Sequence, residues 1–221
     1  MNFISAFEVI GPNMVGPSSS HTAGAVSIGK MARKLFKEKV TEVTFTLYGS
    51  FARTYKGHGT DRALLGGVLG FATDLRIRDA FSWAEKMGVK YQYIADKEFV
   101  PDHPNTVDIR MTGENGTKMQ VQGQSIGGGK IKITQINGIN VEFTGEYSTL
   151  VVKQIDKPGV VTHITQCLSN QNVNIAFMRL FREGKGKTAY SVVESDERIP
   201  DEILEEIRQN PYVQEILLIQ I

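Results

Sequence analysis

Leu150-Val151-Val152-Lys153-Gln154-Ile155 runs straight into Asp156-Lys157-Pro158-Gly159. The first six residues read as a strand and the Pro-Gly pair as a turn. Val161, Ile164 and Leu168 then fall on one helical face. Val173 to Phe181 reads as a second strand, Glu183-Gly184-Lys185-Gly186 as a tight loop, and Thr188 to Val193 as the strand that pairs back. Pro200 opens a helix that turns Leu204 and Ile207 inward, Asn210-Pro211 stops it, and Val213 to Ile219 is the last strand. The order β-α-β-β-α-β is the split βαβ arrangement of ferredoxin-like folds.

Upstream, Gly145-Glu146-Tyr147 reads as a short boundary, which divides the chain into parts at 1–145 and 148–221. In the first part Ala25, Ile28, Ala32, Leu35 and Phe36 recur at helical spacing, and Val43 to Tyr48 alternates like a strand. Gly49 to Gly59 reads as a Gly-rich bend, followed by helices at about Asp61 to Gly70 and Arg76 to Met87. Strands are expected at Tyr91 to Ile94, Thr106 to Met111, Met119 to Ser125, Lys130 to Gln135 and Ile139 to Phe143. Asn115-Gly116 and Asn137-Gly138 mark hairpins among them. The expectation is an α+β chain: a mixed domain with helices early and an antiparallel meander late, then the βαββαβ domain.

The 221 residues include 41% hydrophobic and 22% charged side chains, with a formal charge of +1. That balance gives no electrostatic case for nucleic acid or a membrane surface as partner. No apolar run approaches a membrane span, and the first residues lack a basic signal-peptide region, so a cytoplasmic protein is expected. The single cysteine, Cys167, rules out an internal disulfide and a thiolate-ligated cluster held by this chain alone.

Three clusters carry chemistry. Gly16-Pro17-Ser18-Ser19-Ser20-His21-Thr22 sets hydroxyls and an imidazole just before a helix start, where unpaired N–H groups and the macrodipole suit a carboxylate; the plain alternative is a Ser N-cap. Gly57-His58-Gly59-Thr60-Asp61 leaves His58 sterically open, with Thr60 or Asp61 able to cap the next helix. In Asp102-His103-Pro104-Asn105-Thr106, Pro104 biases His103 toward extended backbone and Asn105 offers donor and acceptor. Three of the four histidines thus lie in polar loops, and histidine is the usual proton-transfer group near neutral pH. The fourth, His163, reads as a surface residue of the later helix.

Gly11-Pro12, Met14 and Gly16-Pro17-Ser18-Ser19-Ser20-His21-Thr22-Ala23-Gly24 resemble the opening of the iron–sulfur-dependent L-serine dehydratases. Tyr48-Gly49-Ser50-Phe51, Lys56-Gly57-His58-Gly59-Thr60-Asp61, His103-Pro104-Asn105-Thr106 and Ser125-Ile126-Gly127-Gly128-Gly129 are similar to the same family and stand in its order. The layout resembles the beta chain of the two-chain form. Its first part is an allosteric-substrate-binding-like domain, and the second part resembles an ACT domain through Asp156, Pro158-Gly159 and Asn172-Val173-Asn174-Ile175.

The resemblance implies conversion of L-serine to pyruvate and ammonia, with a [4Fe–4S] cluster acting as Lewis acid on the β-hydroxyl. With one cysteine here, the cluster must belong to a separate alpha chain, and this chain alone is expected to be inactive. The resemblance further implies that His58, Thr60, His103 and Asn105 are catalytic and that Ser18, Ser19, Ser20, His21 and Thr22 bind substrate. Asp156, Pro158, Gly159 and Asn174 would form a regulatory site for an amino acid or a monovalent cation. Homodimerisation is expected as well, since the apolar run Ile216 to Ile221 would otherwise leave an open strand edge. Two other classes are weighed beside this one. A pure amino-acid-binding regulatory subunit would need few proton-transfer groups. A hydrolase using Ser20 and His21 ranks last, because adjacent side chains aim at each other poorly and no nucleophile elbow is present.

Overall fold

A computed structural model describes residues 18–220. Gly16 and Pro17 of the hydroxyl-rich run, and the earlier residues Gly11, Pro12 and Met14, lie outside them. By internal contacts the chain divides into two compact units after Gly138, inside the Asn137-Gly138 turn.

The first unit opens with α1 (Ala23–Leu35), whose Ala25, Ile28, Ala32 and Leu35 are fully buried as the helical spacing requires. Strand β1 (Val40–Leu47) buries Val43, Phe45 and Leu47 in alternation. Next come α2 (Gly49–His58) and α3 (Thr60–Val68), a 3-10 turn at Leu75–Asp79, and α4 (Ala80–Met87). Strands β2 (Lys90–Ala95), β3 (Thr106–Gly113), β4 (Lys118–Gly127) and β5 (Lys130–Ile136) follow, and β6 (Ile139–Phe143) opens the second unit.

The sheet order is β2-β1-β3-β4-β5-β6. Strands β1 and β2 run parallel, with Phe45 opposite Tyr93, because the intervening helices make the crossover that parallel pairing needs. The pairs β1–β3, β3–β4 and β4–β5 are antiparallel. Helix α1 packs on α3 where Gly29 meets Gly67: a β-carbon on Gly29 would lie 2.4 Å from the Leu64 carbonyl oxygen. Trp83 of α4 meets Phe71 edge-on at 5.9 Å, with the Lys86 ammonium 5.0 Å from its ring centre.

One sequence expectation fails here. Gly49 to Gly59 is not a bend but helix α2, with Gly49 at its first position and Gly59 as its left-handed C-cap. The terminal glycines bound the helix instead of breaking it, and only Gly57 lies inside. The Gly127-Gly128-Gly129 run forms the tight β4–β5 hairpin, with φ values of 103°, 60° and 81°.

In the second unit β7 (Ser148–Ile155), α5 (Val160–Asn170), β8 (Phe177–Arg182), β9 (Thr188–Ser195), α6 (Glu202–Arg208) and β10 (Val213–Ile219) give the expected βαββαβ order. The antiparallel sheet is ordered β10-β7-β9-β8. Its core gathers Leu150, Val152, Val160, Ile164, Leu168, Val193, Ile203 and Ile207. At about 1.5–3 kcal/mol per buried aliphatic side chain, this seam is what holds the two helices on the sheet. The helix starts directly after the Pro-Gly turn, and its fully buried residues are Val160, Ile164 and Leu168, while Val161, expected on the inner face, is half-buried. His163 is not simply a surface residue: its Nε2 lies 3.0 Å from the Glu206 carbonyl oxygen and 3.7 Å from Cys167 Sγ.

Candidate active site

The hydroxyl-rich turn precedes α1 and winds into it, with Thr22 N–H donating to the Ser18 carbonyl and Gly24 N–H to that of Ser19. Thr22 is the N-cap residue of α1 and its side chain makes no cap bond, but one turn earlier Ser18 Oγ accepts the His21 N–H at 3.4 Å, so the Ser-cap reading survives in part. The hydroxyls also face an imidazole. Ser18 Oγ lies 3.1 Å from His21 Nδ1, and Ser20 Oγ lies 3.5 Å from Nδ1 and 3.3 Å from Ser18 Oγ. On the other side of the ring, Nε2 lies 3.0 Å from Ser50 Oγ at the start of α2.

His21 is buried and stands edge-on to His58, with ring centres 4.7 Å apart at 80°, and to Phe51 at 5.4 Å. Burial first, and the neighbouring His58 second, push its pKa below the ordinary 6.5. Thr22, almost fully buried, donates its hydroxyl to the His58 carbonyl at 3.3 Å. The turn at 18–22 and the C-terminal end of α2 are therefore one packed group.

Thr60 opens α3, where Gly59 is the N-cap and no side-chain cap bond forms. Neither Thr60 nor Asp61 caps this helix: Asp61 Oδ1 accepts from the adjacent Arg62 N–H at 2.8 Å, and the fully buried Thr60 hydroxyl has no partner among the described residues.

His103 and Asn105 lie in the turn before β3. The Asn105 N–H donates to His103 Nδ1 at 3.2 Å, so in the neutral ring the proton sits on Nε2. Burial, then the Lys132 charge, lower the His103 pKa. Asn105 also pairs with Ser125 at the end of β4, exchanging a 3.0 Å backbone bond and a longer 3.5 Å side-chain contact. Ser125 in turn fills the space over Gly24 in the first turn of α1. The turn before β3 also reaches α2, through the Pro104 carbonyl that accepts Ser50 N–H at 2.6 Å.

The three sequence clusters are thus joined by direct contacts: the turn at 18–22 to α2 through Ser50 and His58, to β4 through Gly24 and Ser125, and from there to Asn105. Four buried side-chain atoms of this group have no hydrogen-bond partner among the described residues: His58 Nδ1, Thr60 Oγ1, Asn105 Oδ1 and Ser125 Oγ. Each orphan costs about 1–3 kcal/mol, so the group stores polar capacity that the fold does not use. Ser50 and Ser125 are the members that residue-by-residue reading passes over. Their signal lay in Tyr48-Gly49-Ser50-Phe51 and Ser125-Ile126-Gly127, stretches quoted above for likeness without being nominated.

The regulatory candidates lie in the second unit. The Asp156 carboxylate accepts from Gly186 N–H at 3.2 Å and Arg182 at 3.3 Å, fixing the β8–β9 loop. Gly159, at φ 87°, is the N-cap of α5 beside exposed Pro158. Asn174 is exposed, and its N–H donates to Glu197 at 3.4 Å.

Among the described residues no group of three or more His, Cys, Asp or Glu side chains could hold a metal ion. No described helix is long and apolar enough to cross a membrane.

Comparison with known proteins adds two family matches and three relatives. Residues 5–86 match the family described as serine dehydratase beta chain, and residues 148–211 match the ACT domain. The chain is 42% identical over 214 residues to a probable L-serine dehydratase beta chain of Bacillus subtilis, covering 96% of both chains. It is 47% identical over 176 residues to the L-serine dehydratase beta chain of Peptoniphilus asaccharolyticus, covering 79% of each. A more distant likeness, 26% over 200 residues, reaches 37% of a Bacillus subtilis D-3-phosphoglycerate dehydrogenase.

Proposed function

The chain belongs to the serine dehydratase beta-chain family, and from that premise we propose that it supplies one wall of an active site that deaminates L-serine to pyruvate and ammonia. The observation that supports this most is the set of four unpartnered polar atoms around His58, Thr60, Asn105 and Ser125. A sensor could bind an amino acid with hydroxyls and amides alone. Imidazoles are the usual proton-transfer groups near neutral pH, and His58 and His103 would bring them to a site that must pick up and release a proton.

In this reading His58 and Thr60 serve proton transfer at the substrate, and His103 and Asn105 orient it. The substrate carboxylate falls to the turn at 18–22. Ser18 and Ser20 already face His21, so Ser19 is the hydroxyl best placed to share in that contact. Expulsion of the β-hydroxyl needs an electrophile, the chemistry a [4Fe–4S] cluster would supply. The residues described here do not fit that group: the lone Cys167 is buried in α5, and no metal-ligating set accompanies it. The cluster is accordingly assigned to a separate alpha chain, and a two-chain cytoplasmic enzyme follows. Asp156, Pro158, Gly159 and Asn174 mark its effector end, and homodimerisation through the ACT unit would cover the edge strand β10.

The test is reconstitution under anaerobic conditions with the alpha chain. Serine-dependent pyruvate formation should require both chains. His58→Ala and Thr60→Ala should each cut turnover at saturating serine by about 10²–10⁴-fold. Unchanged turnover would leave this chain a regulatory subunit only.

A further inference from the structure

His58 and Thr60 stand on either side of Gly59, the residue that ends α2 and precedes α3 at φ 68°. The corner is bare on its glycine side: a β-carbon added at Gly57 or at Gly59 would meet nothing within 4 Å. Two hydroxyls tie the corner down. Each bond has a fixed direction, because a carbonyl oxygen can only accept. From the turn at 18–22, Thr22 donates to the His58 carbonyl at 3.3 Å. From β2, Tyr93 donates to the Asp61 carbonyl at 2.7 Å, the shorter of the two.

Tyr93 is itself firmly held. It lies opposite the fully buried Phe45 of β1, and the two rings stack with centres 5.0 Å apart at 12°. Tyr55 of α2, three residues before His58, stacks on it at 6.0 Å and 26°. Burial first, and the Asp61 charge second, push the Tyr93 pKa up, so at neutral pH the phenol keeps its proton and remains a donor. Tyr93 thus touches α2 with its ring and α3 with its hydroxyl. Thr60 lies between the two tied carbonyls. Its side chain is β-branched and fully buried, with few rotamers open to it, so the direction of its unpartnered hydroxyl follows the backbone. A shift of the Asp61 peptide is therefore a shift of the Thr60 hydroxyl.

We propose that Tyr93 is a positioning residue for the reaction: its hydroxyl, through the Asp61 carbonyl, fixes the α2–α3 corner and so the direction of the Thr60 hydroxyl. Tyr93 touches no substrate in this account and acts through the backbone of α3. The inference rests on the functional reading above and extends it to a strand residue outside the three sequence clusters.

The test has two readouts. In the full-length chain with ¹³C-labelled threonine methyls, the order parameter of the Thr60 methyl reports how firmly that side chain is held, without any turnover. Tyr93→Phe keeps the stacked ring and removes only the hydroxyl, and the Thr60 methyl is expected to lose order. Tyr91→Phe removes a hydroxyl from the ring 6.1 Å away and should leave that methyl unaltered. In the assembled two-chain enzyme Tyr93→Phe should lower kcat by about a hundredfold, the cost of misplacing a reacting group by about an ångström. KM for serine should stay nearly unchanged, because the carboxylate is assigned to the turn at 18–22, and Tyr91→Phe should keep full turnover. An unaltered Thr60 methyl in Tyr93→Phe overturns the proposal whatever the activity. A loosened methyl with full turnover overturns it too, by showing that the contact is real but the reaction does not depend on it. Equal losses of kcat in Tyr93→Phe and Tyr91→Phe would place the effect in aromatic packing, and a Tyr93→Phe chain that does not fold would place it in the fold; either result overturns the proposal. If wild-type chains form no pyruvate from serine, the functional reading fails first, and the proposal for the reaction falls with it.

Discussion

Gly24 and Ser125 approach so closely that a β-carbon on residue 24 would lie 2.0 Å from Ser125 Oγ. This contact joins the first turn of α1 to the end of β4, and so joins the hydroxyl turn to Asn105. Gly24 lies within regular helix, so Gly24→Ala adds a clash and no backbone strain. Overpacking of this kind costs about 1–3 kcal/mol, to be read as a lowered urea midpoint. Ser125→Gly in the same chain should recover most of the loss. Simple addition of the two single-variant effects would refute a direct clash.

Thr60→Val separates stability from activity. The substitution replaces a fully buried, unpartnered hydroxyl with a methyl group of the same shape. Removing the orphan should leave the chain as stable or more stable by about 1 kcal/mol, while turnover of the assembled enzyme falls. A destabilised variant would mean that the hydroxyl has a structural partner.

The His21 environment predicts a pH dependence with a definite sign. Its folded pKa lies below 6.5, so the unfolded chain binds the proton first as pH falls. The stability cost is absent above about pH 6.5 and grows below it until the folded pKa is passed. Relative to His21→Asn, the wild-type chain should therefore lose stability between about pH 7 and about pH 5. Denaturant melts of both chains across that range check it, and parallel curves would contradict it.

Glu194 carries the opposite sign. It is 5% exposed, its Oε1 has no partner, and burial raises its pKa above 4.5, with Glu142 and Glu146 adding to the effect. Below 4.5 the carboxyl is neutral folded or unfolded; above it the unfolded chain ionises first, and the folded state is penalised. Glu194→Gln should stabilise the ACT unit at about pH 7 and do little at about pH 4, as followed by circular dichroism melts. Equal gains at both values would show that packing, not charge, is responsible.

Periodicity carried most of the fold. The apolar spacing of Ala25, Ile28, Ala32 and Leu35, and the strand–turn–helix reading at Leu150 to Gly159, describe the elements found. What local windows lack is pairing: nothing in Val43 to Tyr48 or Tyr91 to Ile94 says that β1 and β2 run parallel. Glycine count misled at Gly49 to Gly59, because a glycine at either end of a helix looks the same in sequence as one that breaks it. The nominated residues could be named only by type: His58 ends α2 and Thr60 opens α3 instead of lying in a loop, and the contacts among the nominated residues were not legible. That the Ser18 and Ser20 hydroxyls lie against the His21 ring, and that Ser50 at the start of α2 closes its other side, is set by three-dimensional packing that local windows do not carry.

The chain holds a single tryptophan, and Trp83 lies in the first unit. Indole fluorescence is therefore blind to the ACT unit, whereas far-ultraviolet ellipticity sees both. Overlaying the two signals through one denaturation, with no added label, would reveal whether the two units melt as a single cooperative body or in succession. Nature has in effect supplied a dye on one half only.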